Sequence, residues 1–468
     1  MKELLPGRRQ PRGTRHVAGR FLALSLAALA VGIILVTAGC AGITPATLPG
    51  NAPGQISADH PVRVSEGKPL SVFSRQEAFS IHQVITEDSA TSRTIVWQSE
   101  QEEKDPFVEY RALGADGTPS GELWAQGARR NERFAEDGKT SWIHTVKLTG
   151  LRPGTAYQYR LGAGSRRGPW LSLKTPAGPR FQALIFTDSQ SARYDTWGKV
   201  AGSAWSRHGT ADLALVLGDL VDNGQQDAQW RQWFRQAAPL VTSIPVAPVL
   251  GNHETYTLDW QVRMPEAYTR FFPLPALPER WQRQYGSQFY SFDVGEVHFT
   301  VVNTQFRELE KFEPHLQEEQ LAWLRQDLRQ TRKKWKIVLM HKDALQYGFK
   351  HRQTPRAEGF SDEGKIFLPV FDEFSVDAVL SGHLHSYRNR GHIRNFRRDA
   401  SGPLYIMAGL SGDVRYPDLW RDHALDERVL PQPETDNYMT LDAAPDRLVF
   451  RAYLPDGTPV DEAILDKP

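Results

Sequence analysis

Five short stretches of the chain carry ligands suited to hard cations: Thr187-Asp188-Ser189-Gln190, Gly218-Asp219-Leu220-Val221-Asp222, Gly251-Asn252-His253-Glu254, Met340-His341 and Gly382-His383-Leu384-His385. A single Gly-Asp or Gly-His pair carries little information in a chain of 468 residues, but five such stretches in series do. Two cations about 3.5–4 Å apart need a bridging carboxylate and separate ligands on each side, and hydrolysis needs a water between them made into hydroxide. Asp219 is the natural bridge. Asp188 and His385 serve one cation, and Asn252, His341 and His383 serve the other. Carboxylate, amide and imidazole together suit Fe, Mn or Zn, and argue against Ca or a thiolate-loving ion.

Each motif follows an apolar run of strand length: Phe181 to Phe186, Leu213 to Leu217, Pro245 to Leu250, Lys336 to Met340 and Val376 to Leu380. In an α/β protein, ligands collect beyond the carboxyl ends of the strands, so this placement is the one a site requires. Residues 225–238 put Trp230, Trp233, Phe234 and Ala237 on one helical face, and Leu316, Leu321, Leu324 and Leu328 do the same for a second helix. Both stripes read as core faces.

The segment before these motifs has a different period. From about Pro61 to Thr175 it shows short strands between turn residues, such as Thr94 to Trp97 and Ile143 to Leu148, and it reads as a β-sandwich. Leu151-Arg152-Pro153-Gly154-Thr155-Ala156-Tyr157 resembles the turn into a strand of fibronectin type III domains, with Tyr157 as the tyrosine corner and Trp97 as the buried core tryptophan. Residues 41–60 are rich in Pro, Gly, Ala and Thr and read as a tether.

Residues 1–20 carry six bases against the single acid Glu3, and an uncharged run from Phe21 to Gly39 ends at Cys40. This is the pattern of an export signal. Val36-Thr37-Ala38-Gly39-Cys40 resembles a bacterial lipobox, whose Cys is lipidated and becomes the mature N-terminus; an uncleaved signal anchor is the alternative. The expected location is therefore the periplasm or cell surface, on a membrane through lipid. Taking six bases and one acid from the 56 Lys+Arg and 55 Asp+Glu leaves 50 against 54, a net of −4. That charge gives no reason to expect nucleic-acid binding. Cys40 is the only cysteine, so the folded part has no thiol for a disulfide or a metal.

With these motifs quoted, the chain resembles the purple acid phosphatase group of the calcineurin-like metallophosphoesterase superfamily. The sandwich-then-motifs order is similar to that group's, and Gly382-His383-Leu384-His385-Ser386-Tyr387 is close to its final motif. The resemblance implies an α+β or α/β architecture: a fibronectin III-like sandwich at 61–175, then a four-layer αββα metallophosphoesterase domain at 180–465. It also implies two metal ions, Fe with Zn or Mn, and hydrolysis of phosphate monoesters by a metal-bridging hydroxide. A phosphodiesterase or nucleotide pyrophosphatase is the alternative, and a non-catalytic surface binding lipoprotein is the rival from another class. By the same resemblance, Asn252 is a ligand, and His253 steadies the transition state or protonates the leaving oxygen.

Two positions depart from the pattern. The group's tyrosine ligand, three residues beyond the bridging Asp, is here Asp222, and the histidine that other superfamily members place two residues after the first Asp is here Gln190. Either the Gln190 amide oxygen, as a weak ligand, or water fills the position. Plant members place a substrate-facing histidine pair nine and ten residues after the fourth motif's histidine; here Lys350 and His351 stand there as substrate-binding and catalytic candidates, a solvated basic loop being the alternative. Arg388, Arg390, Arg394, Arg397 and Arg398 are expected to form a wet rim, with phosphate steering as the alternative. Tyr256, Trp260, Tyr268, Phe271 and Phe272 either wall the cleft or pack into the core.

Overall fold

The computed structural model describes residues 56–65, 71–72, 77–350, 356–416, 419–430 and 435–467. Residues 1–40 with Cys40, most of the expected tether, and His351 lie outside the described residues. No helix among the described residues is long and apolar enough to cross a membrane.

Two large sheets organise the chain. In the first, the parallel strands Phe181–Phe186, Leu213–Val216 and Pro245–Pro248 lie side by side, flanked by the antiparallel strands Tyr438–Ala443, Arg447–Tyr453 and Pro459–Asp466. In the second, Val297–Val301, Trp335–Leu339, Ala378–Ser381 and Leu404–Ala408 run parallel, with Tyr290–Val294 and Tyr387–Arg394 antiparallel to them. Central parallel strands are buried on both faces, which is why Leu213-Ala214-Leu215-Val216 and Ala378-Val379-Leu380 are continuous apolar runs.

The helices cover the sheets as the apolar stripes require. The helix Asp227–Gln236 buries Trp230, Trp233 and Phe234, and Leu316–Gln330 buries Leu316, Trp323, Leu324 and Leu328, leaving Leu321 half-buried. Trp233 stacks on Trp197 of the helix Asp195–Arg207 with ring centroids 5.4 Å apart.

The N-terminal region is a sandwich with a core of its own, built from Ile95, Trp97, Val108, Tyr110, Val146, Leu148, Tyr157, Tyr159 and Leu161. Tyr157 accepts a hydrogen bond from the Arg152 N–H at 2.8 Å, the bond that defines a tyrosine corner. One of its two sheets is not separate. The strand Phe79–Val84 pairs in parallel with Pro245–Pro248, so Phe79–Val84, Arg93–Ser99, Lys139–Leu148 and Arg130–Glu136 extend the first large sheet to ten strands. Residues 57 and 58, assigned by sequence to the tether, bond to this region: the Gly127 N–H donates to the Ser57 carbonyl at 2.7 Å and Gln126 Nε2 to the Ala58 carbonyl at 3.1 Å.

Candidate metal centre

The five motifs come together because all five strands end on the same side. Three motifs leave the first sheet and two leave the second, and the hydrogen bonds Asp188 N–H to Gly218 (3.1 Å) and Gly382 N–H to His341 (2.9 Å) tie the loops within each sheet. The turns are tight. Asp188, Asp219, His383 and His385 all have positive φ, at 47°, 50°, 77° and 52°, a region that non-glycine residues occupy mainly where the surroundings enforce it for function. Gly218 has a φ of 92°, and a Cβ there would overlap the His341 ring, so this turn admits only glycine.

His341 Nε2 is the point of convergence. It lies 3.0 Å from Asp219 Oδ2, 3.2 Å from Asn252 Oδ1 and 3.2 Å from His383 Nδ1. His385 Nε2 lies 3.4 Å from Asp188 Oδ1. Two sets of potential ligand atoms, Asp219-His341-His383 and Asp188-Asp219-His385, each fall within 4.8 Å of one another, and Asp219 belongs to both. A carboxylate shared by two ligand sets is what a dinuclear centre needs.

The surrounding bonds prepare these atoms for cations. His341 Nδ1–H donates to the Leu217 carbonyl at 2.8 Å, and His385 Nδ1–H to the Val414 carbonyl at 2.7 Å. A carbonyl can only accept, so Nδ1 carries a proton in both rings and Nε2 is the atom turned into the site, able to bind a cation in place of a proton. Asp188 Oδ2 accepts from Thr187 Oγ1 (2.6 Å) and the His383 N–H (2.8 Å), while its Oδ1 is buried with no hydrogen-bond donor. Buried polar atoms are nearly always paired. The residues therefore fit two divalent or trivalent ions. Burial alone would raise the Asp219 pKa, but the charges of His341 and His253 and the hydrogen bond from His341 depress it strongly. For His341, burial works downward and Asp219 overrides it, lifting the pKa to about 9.

His253 sits at the mouth of the site. Its N–H donates to Asp219 Oδ1 at 2.9 Å and its Nδ1 to the Asp222 carbonyl at 2.7 Å, which leaves Nε2 4.0 Å from Asp219 Oδ2. The Asp222 carboxylate lies beside the same ring, 3.6 Å from Nδ1. Gln190 Nε2 is 3.4 Å from His253 Nε2, and Gln190 Oε1 is buried with no donor, as an oxygen facing a cation would be.

Asp188, Asp219, Asn252, His253, His341, His383, His385 and Gln190 thus meet in one place. Lys350 is half-buried, with its backbone N–H on the Leu419 carbonyl at 3.1 Å, and His351 lies outside the described residues. The wet rim needs correction. Arg388 and Arg390 are buried and paired, Arg388 with Asp426 (2.6 Å) and Arg390 with Asp343 (2.6 Å), because these acids come in from two neighbouring loops; Arg397 and Arg398 are exposed as expected. The aromatic group divides. Tyr268, Phe271 and Phe272 are core residues, whereas Tyr256 and Trp260 stay at the mouth.

Glu254, the last residue of the third motif, faces backbone. Its Oε2 accepts from the N–H groups of Gly251 (2.8 Å) and Asp219 (3.1 Å), and its Oε1 from those of Leu220 (2.8 Å) and Val221 (3.3 Å). It holds the second and third motif loops together. Burial and the neighbouring Asp219 push its pKa up to about 7 against the pull of the backbone donors. In sequence it looks like one more ligand, and nothing there shows that it faces backbone. Tyr416, whose ring lies 4.9 Å from that of His385, is preceded by no recognisable motif.

Comparison with known proteins agrees with this geometry. The family profile described as calcineurin-like phosphoesterase matches residues 181–387, and that of the purple acid phosphatase N-terminal domain matches residues 78–175. The chain thus carries a region that matches the calcineurin-like phosphoesterases and, before it, one that matches the N-terminal domain of the purple acid phosphatases. Among its relatives, Purple acid phosphatase 15 of Arabidopsis thaliana is 24% identical over 326 residues, 63% of this chain and 57% of that protein. Purple acid phosphatase 21 of the same plant is 27% identical over 283 residues, 60% of each chain. The chain thus spans less than two thirds of the length of these relatives. The solved structure of a purple acid phosphatase from yellow lupin seeds superposes with a TM-score of 0.68 at 17% identity, covering 84% of this chain and 74% of that one, which establishes a shared fold.

Proposed function

We propose that this protein is a metal-dependent phosphatase that hydrolyses phosphate monoesters. The observation that carries the reading is Asp219, shared by two ligand sets, with Nε2 of His341 and of His385 turned into the site. Asp188, Asp219 and His385 would hold one ion, with Gln190 as a weak further ligand, and Asp219, Asn252, His341 and His383 the other. When bound, the pair supplies charge neutralisation for the phosphate and a nucleophile from water at moderate pH. Iron with zinc or manganese suits this donor set.

The chain's own residues do the rest. His253 presents Nε2 to the reacting phosphate because Nδ1 is committed to the Asp222 carbonyl. From there it donates a hydrogen bond to a phosphoryl oxygen or a proton to the leaving oxygen, contributions of about a hundredfold or more. Asn252 holds its side-chain oxygen 3.2 Å from His341 Nε2, on the ligand side of the site. Lys350 and His351 would add cationic groups on the substrate side.

The same reading divides the chain into a lipoprotein leader at 1–40, a tether at 41–60, a fibronectin III-like domain at 61–175 and the phosphoesterase domain at 180–465. Cys40 would anchor the exported protein to a membrane, a reading supported by the basic head, apolar run and Cys of the leader. The test of the activity is a panel of phosphomonoesters, diesters and nucleotides assayed with Fe, Zn and Mn added back singly and in pairs. Monoester turnover that requires two metals supports the proposal. Turnover of diesters alone would contradict it.

A further inference from the structure

The walls of the site are aromatic, and one wall is held open to solvent at a conformational cost. Trp260 is 54% exposed, one of few large apolar side chains left in water, and it has a φ of 61°. A bulky residue in the left-handed region is unusual and persists where the surroundings over-determine it, which is most often at a functional site. The surroundings here are specific. Tyr256 bridges Val262, the Thr257 N–H donates to the Gln261 carbonyl (2.8 Å), and the Trp260 N–H donates to the Thr257 carbonyl (2.9 Å), closing the loop. Asn223 Nδ2 bonds the Thr257 carbonyl, and Gln225 Oε1 accepts from the Leu258 N–H at 2.9 Å, fixing the loop to the segment that follows Asp222.

This loop aims its rings at His253. Trp260 and Tyr256 stand edge-to-face to the imidazole, at 5.9 Å and 5.5 Å between centroids, and 5.8 Å from each other. On the other side of the centre, Tyr416 lies over His385 and is 38% exposed. A leaving group protonated by His253 Nε2 would depart on the side of that ring, where Tyr256 and Trp260 stand tilted 55° to one another and Trp260 is the more exposed of the two.

From this arrangement we infer that the site selects phosphomonoesters whose leaving alcohol carries a flat aromatic group, such as a nucleobase, which stacks on Trp260 with Tyr256 against its edge. The inference rests on the phosphomonoesterase reading. An aromatic face accepts any base, because every base has a π-face, so the selection is for ring against no ring and not among bases.

Adenosine 5′-monophosphate and ribose 5-phosphate test it with the metal-loaded full chain. Both lose phosphate from the same primary ribose alcohol, so any difference in kcat/KM reports the base. The nucleotide should be preferred by roughly tenfold or more, the range for one base stacked on an aromatic residue. Trp260→Ala should reduce that ratio by about the same factor, and Trp260→Phe should keep most of it. A readout free of turnover is the quenching of tryptophan fluorescence by adenosine, which should be lost in Trp260→Ala. Equal turnover of the two esters, or a preference that survives Trp260→Ala, overturns the stacking assignment alone. Failure to hydrolyse either ester overturns the phosphomonoesterase reading, and the stacking assignment with it. A Trp260→Ala protein that has lost capture of a protein ligand, with its ester preference intact, would mark the wall as a docking surface and also overturn the assignment.

Discussion

His253 is oriented by the backbone of Asp222: its Nδ1 donates to the Asp222 carbonyl at 2.7 Å, so Nε2 alone faces the shared carboxylate of Asp219. Asp222 stands where purple acid phosphatases place a tyrosine ligand, and in this chain it fixes a neighbouring histidine from outside the ligand set. The orienting bond comes from the main chain. Substitution of the Asp222 side chain should therefore leave the His253 tautomer in place.

His253→Ala should lower kcat by roughly a hundredfold or more on a good phosphomonoester, the range for a general acid or charge-stabilising group. Metal content by mass spectrometry should be retained, because no ligand is removed. An unchanged rate would assign His253 to packing.

Loaded with ferric iron, the protein should show no phenolate-to-iron charge-transfer band, since Asp222 replaces the tyrosine and its carboxylate lies beside His253. The visible spectrum decides. A band in the wild type that disappears in Tyr416→Phe would show that the phenol beside His385 has taken the tyrosine's place.

Most of the ligand set was legible in the sequence because a parallel strand announces its own carboxyl end. The apolar run stops, a Gly or a small polar residue turns the chain, and the ligand follows. What was not legible depends on partners distant in sequence. Nothing in Phe79–Val84 shows that it pairs with Pro245–Pro248 and joins the sandwich to the catalytic sheet. Arg388 and Arg390 read as solvated because a charge run usually is, and only the fold brings Asp343 and Asp426 onto them. Glu254 was visible as a residue, while its function as acceptor for four backbone N–H groups exists only once two loops meet.

Glu254→Ala should weaken metal binding by about ten- to a hundredfold, as losses of outer supporting groups do, because the Asp219 loop would lose the acceptor that shapes it. Isothermal titration with zinc or manganese measures this directly. Wild-type affinity in the variant would show that the loop holds its form without Glu254.

A second histidine–carboxylate cluster, in which His298 is buried and Asp293 reaches solvent, predicts a pH effect on stability. His298 bonds Asp293 through Nδ1 (2.7 Å) and Asp327 through Nε2 (2.9 Å); burial lowers its pKa, but the two acids override this and raise it to about 9. A raised folded-state pKa contributes stability that is fully present below the unfolded value of about 6.5 and is lost as the pH rises toward 9. His298→Ala should cost about 2 kcal/mol at pH 6, the range for hydrogen bonds to charged groups with one partner partly screened by water, and should flatten the dependence of unfolding on pH between about 6.5 and 9. Denaturant titrations across that range check both effects.

If Cys40 carries the proposed lipid, Cys40→Ser abolishes its attachment and leaves an unprocessed or signal-anchored form. Mass spectrometry of the mature N-terminus reads this, and an unlipidated, soluble wild-type protein would refute the anchor.

The most direct test of the centre is the metal content of Asp219→Ala beside that of the wild type, both reconstituted with iron and zinc. If Asp219 is the carboxylate that two ions share, the wild type holds two metals per chain and hydrolyses phosphomonoesters, and the variant loses both metals and nearly all activity. Two metals retained by Asp219→Ala at wild-type occupancy would contradict the account.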